Sequence, residues 1–305
     1  CDNLPDNGKL VRGLVLEYSG WLDEDLQDWI DSNVSFPCTM VDRIVPATIP
    51  KDMEMVAQQL GILDEGVVVS EPFRQWMIEE NFVNGRPPWE TVGVQLVVDV
   101  RPYETMKLRL LNGTHSALAY LGYLAGCEHV AEVMKRPEFV QYLHNLMAKE
   151  IAPTLKMPPG TDLGTYQETL LERFANPSLR HRTWQIAMDG SQKLPQRLLD
   201  TLRECLASGV NHQRLTLAVA GWMRYVVGMD EGGHPIKVCD PMAETIQNIA
   251  IASGILQGNK LLSSNAGSYV QHLLAVKEIF GEDLATQPDF VSGLIEVFRQ
   301  LLNTG

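Results

Sequence analysis

The sequence predicts a mainly α-helical protein with a short mixed α/β region at its start, and three observations carry that expectation. After Pro102 apolar residues recur at helical spacing in one segment after another. Before it, two β-branched runs, GVVVSE (66–71) and GVQLVVDV (93–100), read as strands. The two regions meet at residues 103–126, YETMKLRLLNGTHSALAYLGYLAG, about 24 residues with the apolar content of a core helix.

In chain order, CDNLPDNG is rich in turn formers, and helical spacing follows over 9–18 and 22–31. Residues 36–48, FPCTMVDRIVPAT, read as a loop and short extended run between Pro37 and Pro46, and 52–60 as a short helix. The stretch EPFRQWMIEENFVNGRPPWE has helical spacing through Phe82, then a Gly85-Pro87-Pro88 turn. Beyond Pro102 helices are expected over 103–126, 128–135, 137–151, 162–174, 177–188, 195–208, 211–228, 240–256, 265–280 and 288–302, with Pro177 and Pro195 in first-turn positions. The break near Pro102 divides the chain into 1–101 and 102–305.

The 305 residues suit two domains, and 45% hydrophobic content suffices for sizeable cores. A net charge of −13 disfavours nucleic acid and anionic membrane as partners. Residues 1–101 hold 7 basic against 18 acidic side chains, whereas 102–305 hold 18 against 20. Within 173–203 the sign reverses: Arg173, Arg180, Arg182, Lys193, Arg197 and Arg203 face Asp189 and Asp200. A local +4 suits an anionic substrate, or equally a set of solvated helix faces. Five cysteines without CxxC spacing point to reduced cytoplasmic thiols. Seven histidines show no metal-ligand spacing, so no metal site is expected.

The chain opens on Cys1, carries no G-x-G-x-x-G, and reads as a fragment whose nucleotide-binding part, if it has one, lies upstream.

The candidate site lies in the 103–126 stretch. At 100° per residue, with Lys107 at zero, Glu104 falls near 60°, His115 near 80° and Asn112 near 140°, one polar arc of roughly 140°. Leu111 and Leu118 lie within that arc and could wall a pocket. Gly113 costs about 1 kcal/mol in a helix interior, which close approach of another backbone or a ligand would explain. A plain solvated face fits the periodicity as well, but chemistry favours a site. A lysine whose pKa falls on burial can pass a proton to a carbonyl, while an asparagine amide and a histidine N–H hold the alkoxide.

The strings CDN, FPCTMVDRIVPAT, EPFRQWMIEENFVNGRPPWE, MKLRLLNGTH and RHRTWQIAMDGSQKLPQR resemble the polyol-specific long-chain dehydrogenase/reductases, the mannitol dehydrogenase family. The resemblance covers essentially the whole chain and lies nearest the family's sugar-acid branch. It implies the tail of a Rossmann-type NAD domain, with the nucleotide-binding part absent from this chain, followed by a helical substrate domain. The activity implied is metal-independent, NAD(H)-linked interconversion of D-mannonate and D-fructuronate; a polyol such as mannitol is the nearest alternative, and a non-catalytic helical binding module is the alternative of another class.

The family's Lys-x4-Asn-x2-His motif falls on Lys107, the implied general acid/base, on Asn112, which with Asn3 would form the oxyanion hole, and on His115, which would orient substrate. Glu104 matches a proton-relaying glutamate; Asn3 by itself reads rather as a turn-forming or capping residue. Asp42 resembles a pocket residue, with a structural pair to Arg43 as the alternative. Lys193 matches a substrate-binding lysine, expected in a turn before a helix starting at Pro195, whose free N–H groups would receive an oxyanion. Cys38 and Gln185 stand where mannitol dehydrogenases have asparagine and arginine. The cation for a uronate carboxylate is therefore assigned to Arg182, with Lys193 or Arg180 as alternatives. Oligomeric state is left open, a monomer being admissible.

Overall fold

The computed structural model describes residues 4–258 and 260–303. They form two compact units, Cys1–Lys107 with Lys156–Pro159, and Leu108–Leu155 with Gly160–Gly305.

The first unit opens with two packed helices, Asn7–Leu22 and Glu24–Asn33. Asp23 divides them: its carboxylate accepts from the backbone N–H of Asp25 (2.8 Å) and Leu26 (3.4 Å), satisfying donors that the second helix leaves open. A three-stranded sheet follows in the order β1 (Thr39–Asp42), β2 (Gln75–Glu79) and β3 (Gln95–Val97). β2 is antiparallel to β1 and parallel to β3. The Asn7 side chain fixes the first helix to β1, donating to the Thr39 carbonyl at 2.6 Å and accepting from the Thr39 N–H at 3.0 Å. Cys38, Met40, Met77 and Val100 form the buried centre, with Val97 and Tyr103 against it. The helix Asn7–Leu22 buries only Asn7, Gly8 and Ser19. It turns Leu14, Tyr18 and Trp21 outward, Trp21 being 74% exposed, an apolar face of the kind other surfaces cover.

Two expectations for this unit are corrected. Residues 75–79 are the central strand and not a helix. Met77 and Ile78 are both buried, which removes the alternation that marks a half-exposed strand and leaves a short apolar run whose period is ambiguous. Residues 66–71 form no strand: Val68 is exposed, the Val67 carbonyl accepts from the Thr48 hydroxyl at 2.8 Å, and Glu71 meets Ile44, its N–H bonding the Ile44 carbonyl at 3.2 Å and its carboxylate the Ile44 N–H at 2.6 Å. β-branched composition without a partner edge does not make a strand.

The second unit is built around the helix Gln213–Val226, buried along nearly its whole length. It packs on Thr114–Leu124 and on Pro288–Asn303. Tyr120, Trp222, Tyr225, Tyr269, Phe290 and Phe298 fill this core. The helical spans follow the sequence pattern, with shorter elements. The 177–188 segment divides at Arg180 and Arg182 into a turn, Pro177–Leu179, and the helix Thr183–Ala187. The 240–256 segment is helical only over Ala243–Ala252 and leads into a small antiparallel pair, Leu256–Gln257 with Lys260–Leu261.

Three segments widen to π geometry: Lys107–Gly113, Met147–Ile151 and Pro195–Leu199. The 100° arithmetic for the polar arc therefore does not hold across residues 107–113. Pro195 does not start a helix either. Gly190–Leu194 is already helical, Pro195–Leu199 continues it with the wider turn that a proline ring and its missing N–H demand, and Asp200–Ser208 completes it.

The second π segment carries Glu150, wholly buried. Its carboxylate accepts from the N–H of Arg214 (3.0 Å) and Leu215 (2.8 Å) and pairs with the Arg214 guanidinium at 3.1 Å, which caps the central helix with a negative charge. Replacing Glu150 by Ala strands these donors, and urea unfolding should record a loss of roughly 3–5 kcal/mol.

The described cysteines Cys38, Cys127, Cys205 and Cys239 form no disulfide, and the first three are buried. Among the described residues no helix is long and apolar enough to cross a membrane, and no cluster of side chains is arranged to hold a metal ion.

Candidate active site

In the first unit, Lys107 is 9% exposed and its amine donates to the Val41 carbonyl of β1 at 2.6 Å. Asp42, next along β1, is wholly buried. Arg43 is exposed and sends its Nε to the Glu71 carbonyl at 2.9 Å. Glu104 is half-buried, and burial, followed by the charge of Asp6, raises its carboxyl above the ordinary range. Asn3 lies outside the described residues.

In the second unit, Asn112 is half-buried near the end of the π segment, and its side chain bonds no described residue. Gly113 follows, and a Cβ built on it would lie 2.5 Å from the carbonyl oxygen of Arg197. The close backbone approach anticipated for this glycine is present.

His115 is 7% exposed, stacks on Phe174 (ring centroids 4.9 Å, 21° between planes) and meets the edge of His181 at the same centroid distance (75°). Its Nε2 and the Nδ1 of His181 are buried without a hydrogen-bond partner among the described residues. Burial holds His115 neutral, its pKa well below the usual value, and the charges of His181, Arg197, Arg173 and Lys193 act in the same direction. Burial lowers His181 to about 4. Two imidazoles with open nitrogens in a dry, electropositive setting can exchange hydrogen bonds with a hydroxylated anion without acquiring charge.

Lys193 lies inside the helix Gly190–Leu194, and not in a turn before a helix start, so the expected row of free N–H groups beside it is not there. Its amine donates to the Met188 carbonyl at 2.6 Å and lies 3.6 Å from Asp189. Burial, then Arg197, lowers its pKa. Arg182 is half-exposed, with Nε 3.5 Å from Glu128, and lines a separate cavity of about 520 Å³ with Tyr123, Trp184 and Asp230. It is not among the charges that bear most on His115. Arg180 is exposed.

The structure thus groups Lys107 with Val41 and Asp42, and His115 with His181, Lys193 and Arg197. Sequence reasoning did not single out His181, Arg173 or Arg197 as site residues. The basic run over 173–203 contained the two arginines but gave no means of sorting inward from outward side chains.

A nicotinamide dinucleotide makes two demands, a cradle for its pyrophosphate and a proton-transferring group beside the reacting carbon. No G-x-G-x-x-G is present to meet the first. The buried amine of Lys107 is a group of the kind the second requires.

The comparisons give this chemistry a lineage. The pattern described as the mannitol dehydrogenase C-terminal domain matches residues 99–302, and that described as the mannitol dehydrogenase Rossmann domain matches residues 1–91. The chain belongs to the mannitol dehydrogenase family. It is 51% identical over 305 residues to D-mannonate oxidoreductase of Escherichia coli (strain K12), covering 100% of this chain and 60% of that protein. It is 40% identical to mannitol 2-dehydrogenase of Pyrenophora tritici-repentis (strain Pt-1C-BFP), covering 52% of it. Among solved structures, the mannitol 2-dehydrogenase of Pseudomonas fluorescens in a ternary complex with NAD and D-mannitol superposes with a TM-score of 0.83 at 41% identity, over 100% of this chain and 59% of that one. The chain therefore spans between about half and 60% of the length of these relatives.

Because the unfolded chain binds protons that the buried imidazoles refuse, stability should fall as pH drops through 6.5 toward 4. Between pH 7 and 4.5, urea unfolding of the wild type should lose about 2 kcal/mol more than that of His181→Gln, which lacks one of the two titrating rings.

Proposed function

We propose that this protein is an NAD(H)-linked oxidoreductase that interconverts D-mannonate and D-fructuronate, with residues 1–101 as the tail of the nucleotide domain and 102–305 as the substrate domain. Its place is the cytoplasm, in keeping with the free thiols of the described cysteines. The observation that carries the reading is the amine of Lys107, buried and tied to the Val41 carbonyl at 2.6 Å. NAD(H) supplies the hydride; the chain's own residues manage the proton and the charge.

Lys107 gives its proton to the ketone oxygen during reduction and takes it from the hydroxyl in the reverse direction. Asn112, whose amide is uncommitted, and Asn3 hold the oxygen as charge develops on it. His115, neutral with Nε2 open, orients a neighbouring hydroxyl, while Asp42 and Lys193 take part in placing the substrate. Glu104, its affinity for a proton raised by burial, passes protons between Lys107 and water.

The similarity to D-mannonate oxidoreductase supports a sugar acid, as does the set of cations around His115. The neighbouring reading, a neutral polyol, is supported by the likeness to mannitol 2-dehydrogenases. Replacing Lys107 by Ala removes the proton donor, and kcat of the whole protein should fall by roughly 10²- to 10⁴-fold. Retention of most of the turnover refutes the mechanism. Turnover of fructose without fructuronate would select the polyol reading.

A further inference from the structure

Among the cations of the basic segment, Arg197 differs from its neighbours. Arg182 faces Glu128, Lys193 lies 3.6 Å from Asp189, and Arg203 is braced by Asp200 and Asp283. Arg173 has partners of its own, and Arg180 is exposed. Arg197 is largely buried, yet among the described residues its only side-chain bond runs from Nη1 to the hydroxyl of Ser116 at 3.1 Å. Ser116 adjoins His115, so that bond anchors the guanidinium to the helix turn carrying the open imidazole. A guanidinium has five N–H donors, and one hydroxyl engages one of them. A desolvated cation without a counter-charge is costly to keep, and burial already depresses its pKa.

Two further features point to a ligand. Among the described residues His115 Nε2 and His181 Nδ1 are buried without a hydrogen-bond partner, and the cations Arg197, Arg173 and Lys193 are among the charges that bear most on His115. An anion carrying hydroxyls would answer both features.

We propose that Arg197 is the specificity-determining cation for the substrate carboxylate, engaging it through its uncommitted N–H donors while His115 and His181 take adjacent hydroxyls. The assignment rests on the sugar-acid reading above and names the residue that separates a uronate from a neutral ketose. A bidentate guanidinium–carboxylate pair discriminates by charge and by shape, whereas a neutral imidazole pair reads only hydroxyls.

The test is steady-state reduction of D-fructuronate and of D-fructose by the whole protein with NADH. In Arg197→Gln the KM for fructuronate should rise roughly 10- to 150-fold, the worth of a charged hydrogen-bonded pair, while its kcat and the constants for fructose stay within about threefold. Arg197→Lys, which keeps the charge without the fork, should raise the fructuronate KM selectively and by less. It also carries the test if the glutamine variant does not fold. Equal losses on both substrates mark Arg197 as structural and overturn the assignment, as does an unchanged fructuronate KM in either folded variant. A selective loss in Arg182→Ala with Arg197→Gln normal moves the anchor to Arg182. If the wild type reduces fructose and not fructuronate, the sugar-acid reading itself falls and this assignment with it.

Discussion

The second unit depends on one close approach. The carbonyl of Arg197 comes so near the backbone of Gly113 that no side chain fits between them. Each partner sits in a π-helical segment, the one ending at Gly113 and the other opening at Pro195. A glycine in mid-helix and a proline in mid-helix are each unfavourable alone. Here the glycine admits the neighbouring backbone, and the wider turn accommodates the proline. Through that contact the segment bearing Asn112, and His115 just beyond it, is set against the segment bearing Arg197.

Electrostatics follows from that packing. The chain carries a net charge of −13, and nearly all of the acidic excess lies in residues 1–101. Around His115 the sign is reversed, because Arg197, Arg173 and Lys193 all bear on it. Burial would keep His115 neutral by itself, and the cations add to the effect. An imidazole so constrained contributes hydrogen bonds, which leaves net attraction for an anion to the lysine and arginines. Lys107 is arranged differently: a strand carbonyl accepts a hydrogen bond from its amine and fixes where the amine points.

The helical character beyond Pro102 was legible because amphipathic periodicity over ten or more residues is a strong signal, as at Gln213–Val226 and Pro288–Asn303. The central strand Gln75–Glu79 was not, since strand pairing is non-local and its two adjacent buried residues mimic a helical spacing. Lys107, Asn112 and His115 could be picked out because polar groups in a core-like helix ask for a reason. Arg197 could not, because a guanidinium whose one side-chain bond among the described residues goes to the Ser116 hydroxyl is recognisable only in three dimensions. The opposite holds for Arg182, whose position beside Gln185 suggested a ligand and whose guanidinium sits near Glu128.

The thiols have a consequence of their own. Burial raises the pKa of Cys38 and Cys127, and that of Cys205 to about 11, so these sulfurs stay protonated and shielded in neutral solution. Alkylating or oxidising reagents attack the thiolate, and three of the four described cysteines offer almost none. Among the described cysteines such a reagent would meet Cys239 first and spare the three interior sulfurs, so oxidants and alkylating agents leave the packed core unmarked.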